Sequence, residues 1–264
     1  VSGTPRAAAA AAPPLLEVAG LHHWFGGLHA IDGVSFACRS GAIKAIIGPN
    51  GAGKSTLFNL VAGTFPPAAG RVAFAGREVT GFPPHRIAGL GIARTFQASR
   101  LFPGMSVLEN VMAGRYVRGR SGFLAGMLRL PGARHDERDA RRRALETLEA
   151  FGLADLAGVD ARSLPFGRQR IVEIARALAS EPRLLLLDEP ACGLNIRETE
   201  RLGELVGGIR SRGVTVLIVE HDMSLVMGIS DEVVVLDRGA LVAEGTPHEV
   251  QADPRVIAIY LGEA

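Results

Sequence analysis

At 264 residues the chain is long enough for one large domain with a full hydrophobic core. Its 29 basic and 27 acidic side chains leave a formal charge of +2, which excludes the strong positive field of a nucleic-acid or anionic-membrane binder, so no nucleic-acid partner is expected. No stretch approaches the roughly 18 apolar residues that a membrane span needs, so any work at a membrane requires other chains to cross it. Glycine is abundant, 33 residues against a usual share of about 7%, and weak glycine motifs therefore carry little weight. Cys38 and Cys192 show no CxxC or Cys/His clustering and read as free thiols of a reducing compartment.

In chain order, residues 1–14 carry an alanine run cut off by two prolines and read as a disordered tail, not a signal peptide. Short strands near 17–21, 34–37 and 72–79 suggest an antiparallel flank. Apolar runs of strand size follow at about 43–47, 92–96, 184–187, 214–219 and 232–236. Helical stripes lie between several of them, such as Ile171, Ile174, Ala175, Leu178 and Leu202, Leu205, Val206, Ile209. Strands alternating with helices argue a mostly parallel α/β sheet.

Between about 98 and 180 strand signals stop, which predicts a helical subdomain inserted into that core. Ser106 and Glu109 form a capping box there. Ala144, Leu148 and Phe151 make a stripe that Gly152 stops; residues 115–135 read as a mobile connection, and Arg141–Arg143 as a solvated face. "DRG" at 237–239 reads as a hairpin turn. Thr246, Pro247 and Glu249 form a helix start, and the tail from about 246 to 262 is expected to be one ordered helix.

Chemistry concentrates at strand ends. "GPNGAGKST", Gly48 to Thr56, fits G-x-x-x-x-G-K-[ST] and stands between a strand and a helix, the context a phosphate loop needs. Gly48, Pro49, Asn50, Gly51, Ala52 and Gly53 would curl backbone N–H groups around phosphate oxygens, and the helix N-terminus adds its dipole. Of the 29 basic residues only Lys44 and Lys54 are lysine. At Lys54 a compact ammonium is needed, one that reaches the β- and γ-phosphates as a point charge. Ser55 offers a hydroxyl to Mg²⁺, and Thr56 continues the loop. "LLLLDEP" ends a buried strand in Asp188, which would hold Mg²⁺ directly or through a bound water, and Glu189, a general base for water. His221 closes the strand "VTVLIVEHD", within reach of a γ-phosphate or an attacking water. Gln97, after "TF", is placed to contact Mg²⁺ or the water.

These residues, with "LPFGRQRIVEIARAL" at 164–178, stand in the order and spacing of ABC transporter ATP-binding subunits, which the chain resembles from about Leu15 onward. The resemblance implies a P-loop ABC-ATPase core with an antiparallel β flank and an inserted helical subdomain, 15–264 forming one ATP-binding domain. It implies catalytic roles for Glu189, His221 and Gln97. It also implies an adenine-stacking aromatic, Phe25 by register with Trp24 as the alternative, and a signature of Leu164, Pro165, Phe166, Gly167, Arg168 and Gln169 that faces a partner's ATP. Asn195 stands where the D-loop aspartate is usual, and Arg168 where glutamine is usual.

"FGGLHAIDGVSF", "ARTFQASRLFPGMSVLENV" and "EGTPHEV…DPRVIAIYLGEA" narrow the resemblance to the branched-chain amino-acid uptake family. The implied assembly has ATP and Mg²⁺, a second ATP-binding subunit, two membrane permease subunits and, indirectly, a periplasmic or extracellular solute-binding protein. The chain would sit on the cytoplasmic face of the bacterial inner membrane. Transport of urea, short amides or other amino acids, or lipopolysaccharide export, stays open as the alternative. A DNA-repair or chromosome ABC ATPase would need coiled-coil arms between Lys54 and Asp188, a ribosome-associated one would need two tandem nucleotide domains, and a GTPase would need N-K-x-D; none is present.

Overall fold

The computed structural model describes residues 13–96, 100–118 and 131–261. The expected 1–14 tail therefore falls almost wholly outside the described residues, as do Gln97 and positions 119–130 of the expected connection.

Two sheets face each other. The flank is a four-stranded antiparallel sheet of β1 (Leu16–Phe25), β2 (Leu28–Cys38), β4 (Ala69–Phe74) and β5 (Arg77–Glu78), in the order β2-β1-β4-β5. The second sheet has six strands: β3 (Ile43–Ile47), β6 (Ile92–Arg94), β7 (Leu184–Asp188), β8 (Thr215–Val219), β9 (Glu232–Asp237) and β10 (Ala240–Gly245). Their order is β10-β9-β3-β8-β7-β6, parallel except for the β9–β10 hairpin.

The apolar runs of β3, β7, β8 and β9 are near-continuous because both faces of this sheet are covered. Leu184 and Leu186 point into the core shared with the flank and with helix α1 (Lys54–Val61). Leu185 and Leu187 point the other way, under helices α6 (Ile196–Ser211) and α7 (Met223–Ile229). Helix α2 (Pro84–Leu90) lies between the two sheets' strands in sequence. The "DRG" stretch is the hairpin turn, with Arg238 and Gly239 both at positive φ, 46° and 83°.

The helical unit consists of α3 (Val107–Arg115), α4 (Pro131–Ala150) and α5 (Phe166–Leu178), with the capping box at Ser106 and Glu109 in place. It closes a core of its own around Val111, Leu148 and Val172. Arg142 and Arg143 are exposed and pair with Asp139 and Glu146 along their own helix. Of the connection expected over 115–135, Arg115 closes α3, 116–118 form a 3₁₀ turn and 131–135 belong to α4.

The single tail helix expected over 246–262 is instead two, α8 (Pro247–Ala252) and α9 (Pro254–Leu261). Pro254 has no N–H to give to a continuing helix and pushes the residue before it out of the helical region. Asp253 is accordingly extended (φ −73°, ψ 118°), and its carboxylate accepts the Arg255 N–H at 2.8 Å.

The second lysine is buried too. Lys44, 1% exposed, sits on β3 opposite Glu232 of β9, with Nζ 2.9 Å from that carboxylate, and also bonds Glu244 of β10. One ammonium thus locks three strands in register. Cys38 and Cys192 are both free, and burial pushes the Cys38 thiol up to about 12. Lys44→Met would leave Glu244 without its cation and Glu232 with the exposed Arg39 alone. Loss of one member of a buried pair costs about 3–5 kcal/mol, and this case belongs at the lower end because both glutamates retain some solvent. The expected result is a lower urea midpoint at unchanged slope; an unchanged midpoint would refute the locking role.

Candidate active site

The phosphate loop leaves β3 at Gly48 and enters α1 at Lys54. Its glycines answer a space constraint. A Cβ on Gly48 would lie 2.1 Å from the Leu236 carbonyl oxygen of β9, and one on Gly53 would lie 2.6 Å from that of Ala30 on β2. The loop is pressed between the flank and the β9–β10 hairpin, and backbone bonds hold it there: Gly239 N–H donates to Ala52 O at 3.0 Å, and Asp32 N–H to Gly239 O at 2.8 Å.

Lys54, 6% exposed, donates to Gly48 O at 2.7 Å and Pro49 O at 2.9 Å, so its ammonium is anchored in the loop with a third donor remaining. Burial lowers its pKa, and the charge of Glu189 opposes that shift.

One open cleft gathers Phe25, Leu28, His29, Asn50 to Thr56, Glu189 and Arg238. Phe25 is half-exposed and packs edge-on to His23 and Phe65. Trp24 does not line this cleft; its indole stacks on His29 at 4.2 Å and on His22. Leu28, His29 and Arg238 escaped the sequence reading, Arg238 because its triplet signals only a turn.

Glu189 is one of the few non-glycine residues at positive φ, 45°. Its N–H donates to Val219 O at 2.9 Å, which holds the strained residue against β8. Asp188, just before it, is buried. Its Oδ2 accepts from Arg94 at 2.8 Å, whereas its Oδ1 has no hydrogen-bond partner. A buried carboxylate oxygen left open beside a phosphate loop suits a divalent cation. Ser55 offers an exposed hydroxyl on the first turn of α1.

His221 is exposed and outside the cleft lining, two residues past Val219, the register partner of Asp188, and so at the same sheet edge as that acid. The residue before it was missed by the sequence reading. Glu220 is fully buried; its Oε1 accepts Ala191 N–H at 2.7 Å, and its Oε2 accepts His221 N–H at 3.1 Å. Burial raises its pKa against these donors. It ties the turn after Glu189 to the loop of His221.

Leu164 to Gln169 lie at the start of α5 and do not line the cleft. Gln169 turns back to the carbonyls of Arg162 and Leu164, and Arg168 is exposed with no ion pair to any described residue. Asn195 caps α6, accepting the Glu198 N–H. The Glu198 carboxylate packs on Gly167, where a Cβ would meet it at 2.5 Å. From the same helix Arg170 donates to Phe96 O at 2.9 Å and pairs with Glu173, which accepts Arg100 N–H at 2.6 Å. One buried ion pair therefore grips both flanks of the segment that carries Gln97.

A glycine-lined phosphate loop, a buried strand-end aspartate and an adjoining glutamate define a phosphate-loop ATPase. Residues 31–192 match the ABC transporter family, and residues 240–264 match the branched-chain amino acid ATP-binding cassette transporter family. The chain is 46% identical over 252 residues to the high-affinity branched-chain amino acid transport ATP-binding protein BraF of Pseudomonas aeruginosa, covering 95% of this chain and 99% of that one. It is 43% identical, at the same coverage, to the corresponding protein LivG of Escherichia coli K12. The fold superposes on a nucleotide-free ATP-binding cassette from an ABC transporter with a TM-score of 0.84 at 32% identity, covering 95% of this chain and 100% of that one. An ADP-bound cassette gives 0.83 at 32% identity and the same coverage.

The chain belongs to the ABC transporter ATP-binding family: it binds and hydrolyses ATP as the motor subunit of an ABC importer. Among its described residues no helix is long and apolar enough to cross a membrane.

Phe25→Ala should raise the apparent KM for ATP about tenfold, since stacking on a base is worth roughly 1–3 kcal/mol. Trp24→Ala should leave it unchanged, because that indole is engaged with His22 and His29. The reverse pattern would move the stacking role to Trp24.

Proposed function

We propose that the chain powers uptake of branched-chain amino acids, paired with a second ATP-binding subunit and docked under two membrane permease subunits that receive cargo from a solute-binding protein. Its place would be the cytoplasmic face of the membrane. The observation that carries this cargo assignment is the match of residues 240–264, because the loop, strand-end acids and signature are common to ABC ATPases of every cargo. Reconstitution with the co-purifying membrane subunits tests it: leucine-loaded binding protein should stimulate ATP hydrolysis and leucine should accumulate. Stimulation by urea or an amide alone would overturn the cargo and leave the ATPase standing.

In this reading the N–H groups of Gly51 to Thr56 and the Lys54 ammonium bind the β- and γ-phosphates, and Phe25 stacks on adenine. Ser55, Asp188 and Gln97 would hold Mg²⁺, which would neutralise developing charge on the phosphates. Glu189, fixed by its N–H bond to β8, takes the proton of the attacking water. His221 orients the γ-phosphate or that water from the neighbouring strand. The signature completes the ATP site of the partner subunit, since it lies outside this chain's own cleft. There the dipole at the start of α5 favours phosphate.

Glu189→Gln should retain ATP binding and lose turnover by about 10²–10⁴-fold. With ATP and Mg²⁺ it should accumulate as a closed pair in gel filtration, and loss of ATP binding would instead make Glu189 a metal or structural residue.

Arg168 is exposed and pairs with no acid among the described residues, which leaves its guanidinium free to reach a triphosphate held by the partner. Arg168→Gln should change hydrolysis of the partner's ATP and leave this chain's own ATP binding unaltered. ATPase rates of the reconstituted transporter, with each phosphate loop inactivated in turn, check this. Equal rates with and without the substitution in both backgrounds would refute it.

A further inference from the structure

Arg94 ends β6 and is only 13% exposed. Its planar fork reaches two elements at once. Nη2 donates to Asp188 Oδ2 at 2.8 Å, and Nη1 donates to Asn59 Oδ1 on α1 at 2.6 Å. The rings of Phe58 and Phe96 lie 6.0 and 5.5 Å from its Cζ and confine it. The next residue acts on the same acid: Thr95 N–H bonds Leu186 O at 2.9 Å, and Thr95 Oγ1 accepts the Asp188 N–H at 3.4 Å. Asp188 is thus held through its backbone and one carboxylate oxygen, with the other oxygen buried and without a partner.

We propose that Arg94 is a positioning residue for the metal: it fixes Asp188 through Oδ2 so that Oδ1 alone is presented to the cation, and through Asn59 it ties that orientation to the helix of the phosphate loop. The inference rests on the reading of Asp188 as a metal-holding group.

Two effects of the guanidinium oppose each other. Its charge repels a divalent cation, yet it pairs with a buried carboxylate and orients it. The second effect prevails because the guanidinium binds the oxygen away from the open one, with the carboxylate's own charge between the two cations, while an unpaired buried carboxylate would bear its full desolvation cost. Lysine could supply the charge but not bridge both acceptors in one plane.

The test uses the full chain and a non-hydrolysable ATP analogue. Its Kd is measured in EDTA and in saturating Mg²⁺, and the ratio reports how strongly metal and nucleotide bind together. Loss of a group that orients a metal ligand typically costs 10–100-fold in metal affinity. Arg94→Ala should therefore reduce the ratio at least about tenfold, with the EDTA value unchanged. Arg94→Lys and Asn59→Ala, which keep the charge or the guanidinium and serve if the alanine variant does not fold, should give intermediate losses. An unchanged or larger ratio in these variants would overturn the proposal, as would a weaker EDTA value by the same factor, which marks general loosening. Asp188→Asn separates the two readings. If it too keeps the full ratio, the assignment of Asp188 to the metal falls; if it alone loses the ratio, only the role of Arg94 falls.

Discussion

The structure turns on a lack of space at the phosphate loop. Between β3 and α1 the chain passes through a gap bounded by the Ala30 carbonyl of the flank and by Leu236 and Gly239 of the β9–β10 hairpin, and at Gly48 and Gly53 the gap admits no more than hydrogen. The fit makes the loop a joint as well as a ligand cradle. Through Gly239 N–H to Ala52 O and Asp32 N–H to Gly239 O, the flank, the loop and the edge of the parallel sheet become one backbone network. The aromatic side chain of the flank and the acids of the sheet are then positioned against one set of loop amides.

Around that joint, charge is buried where strands end and each buried charge bridges elements. Lys44 fastens β3 to β9 and β10; Arg94 fastens β6 to β7 and α1; Glu220 fastens the turn after Glu189 to the loop of His221. A buried ion earns its desolvation cost only with several partners in good geometry, and these have them. In a chain that otherwise uses arginine for positive charge, both lysines lie in narrow buried slots, so the residue bias noted in the sequence has a structural counterpart at Lys44 as well as Lys54.

What could be read in the sequence follows from the range of the interactions. Each central strand was visible because burial on both faces leaves an apolar run, and the capping boxes at Ser106 and Thr246 were visible because they are local. The tail was misjudged at one residue: the helix start was recognised, but the stop imposed by Pro254 on Asp253 was passed over in favour of a continuous helix. Arg94, Glu220 and Arg238 were missed for a different reason. Their partners lie far away in sequence or across a turn, and one arginine of 27 or a glutamate beside a histidine carries no local signal. Register alone put Phe25 ahead of Trp24 in the sequence; that Phe25 lines the cleft while Trp24 stacks on His29 depends on the β1–β2 pairing, which no local signal carries.

The helical unit has its own core, yet its signature helix is not independent of the sheet. Val172 and Ala175 of α5 pack inside the helical unit, while Ile174 packs in the core beneath β7 and β8. On its remaining side the Arg170–Glu173 pair holds Phe96 and Arg100 by their backbones, on either side of Gln97. At its N-terminus Gly167 lies against Glu198, the residue that caps α6 together with Asn195. The start of α5 is thus bound within one chain to the strand-end segment on one side and to the turn after Glu189 on the other. In the proposed pair, a signature serving the partner's ATP would thereby be mechanically tied to the acids serving this chain's own, a direct path between the two sites through packed atoms.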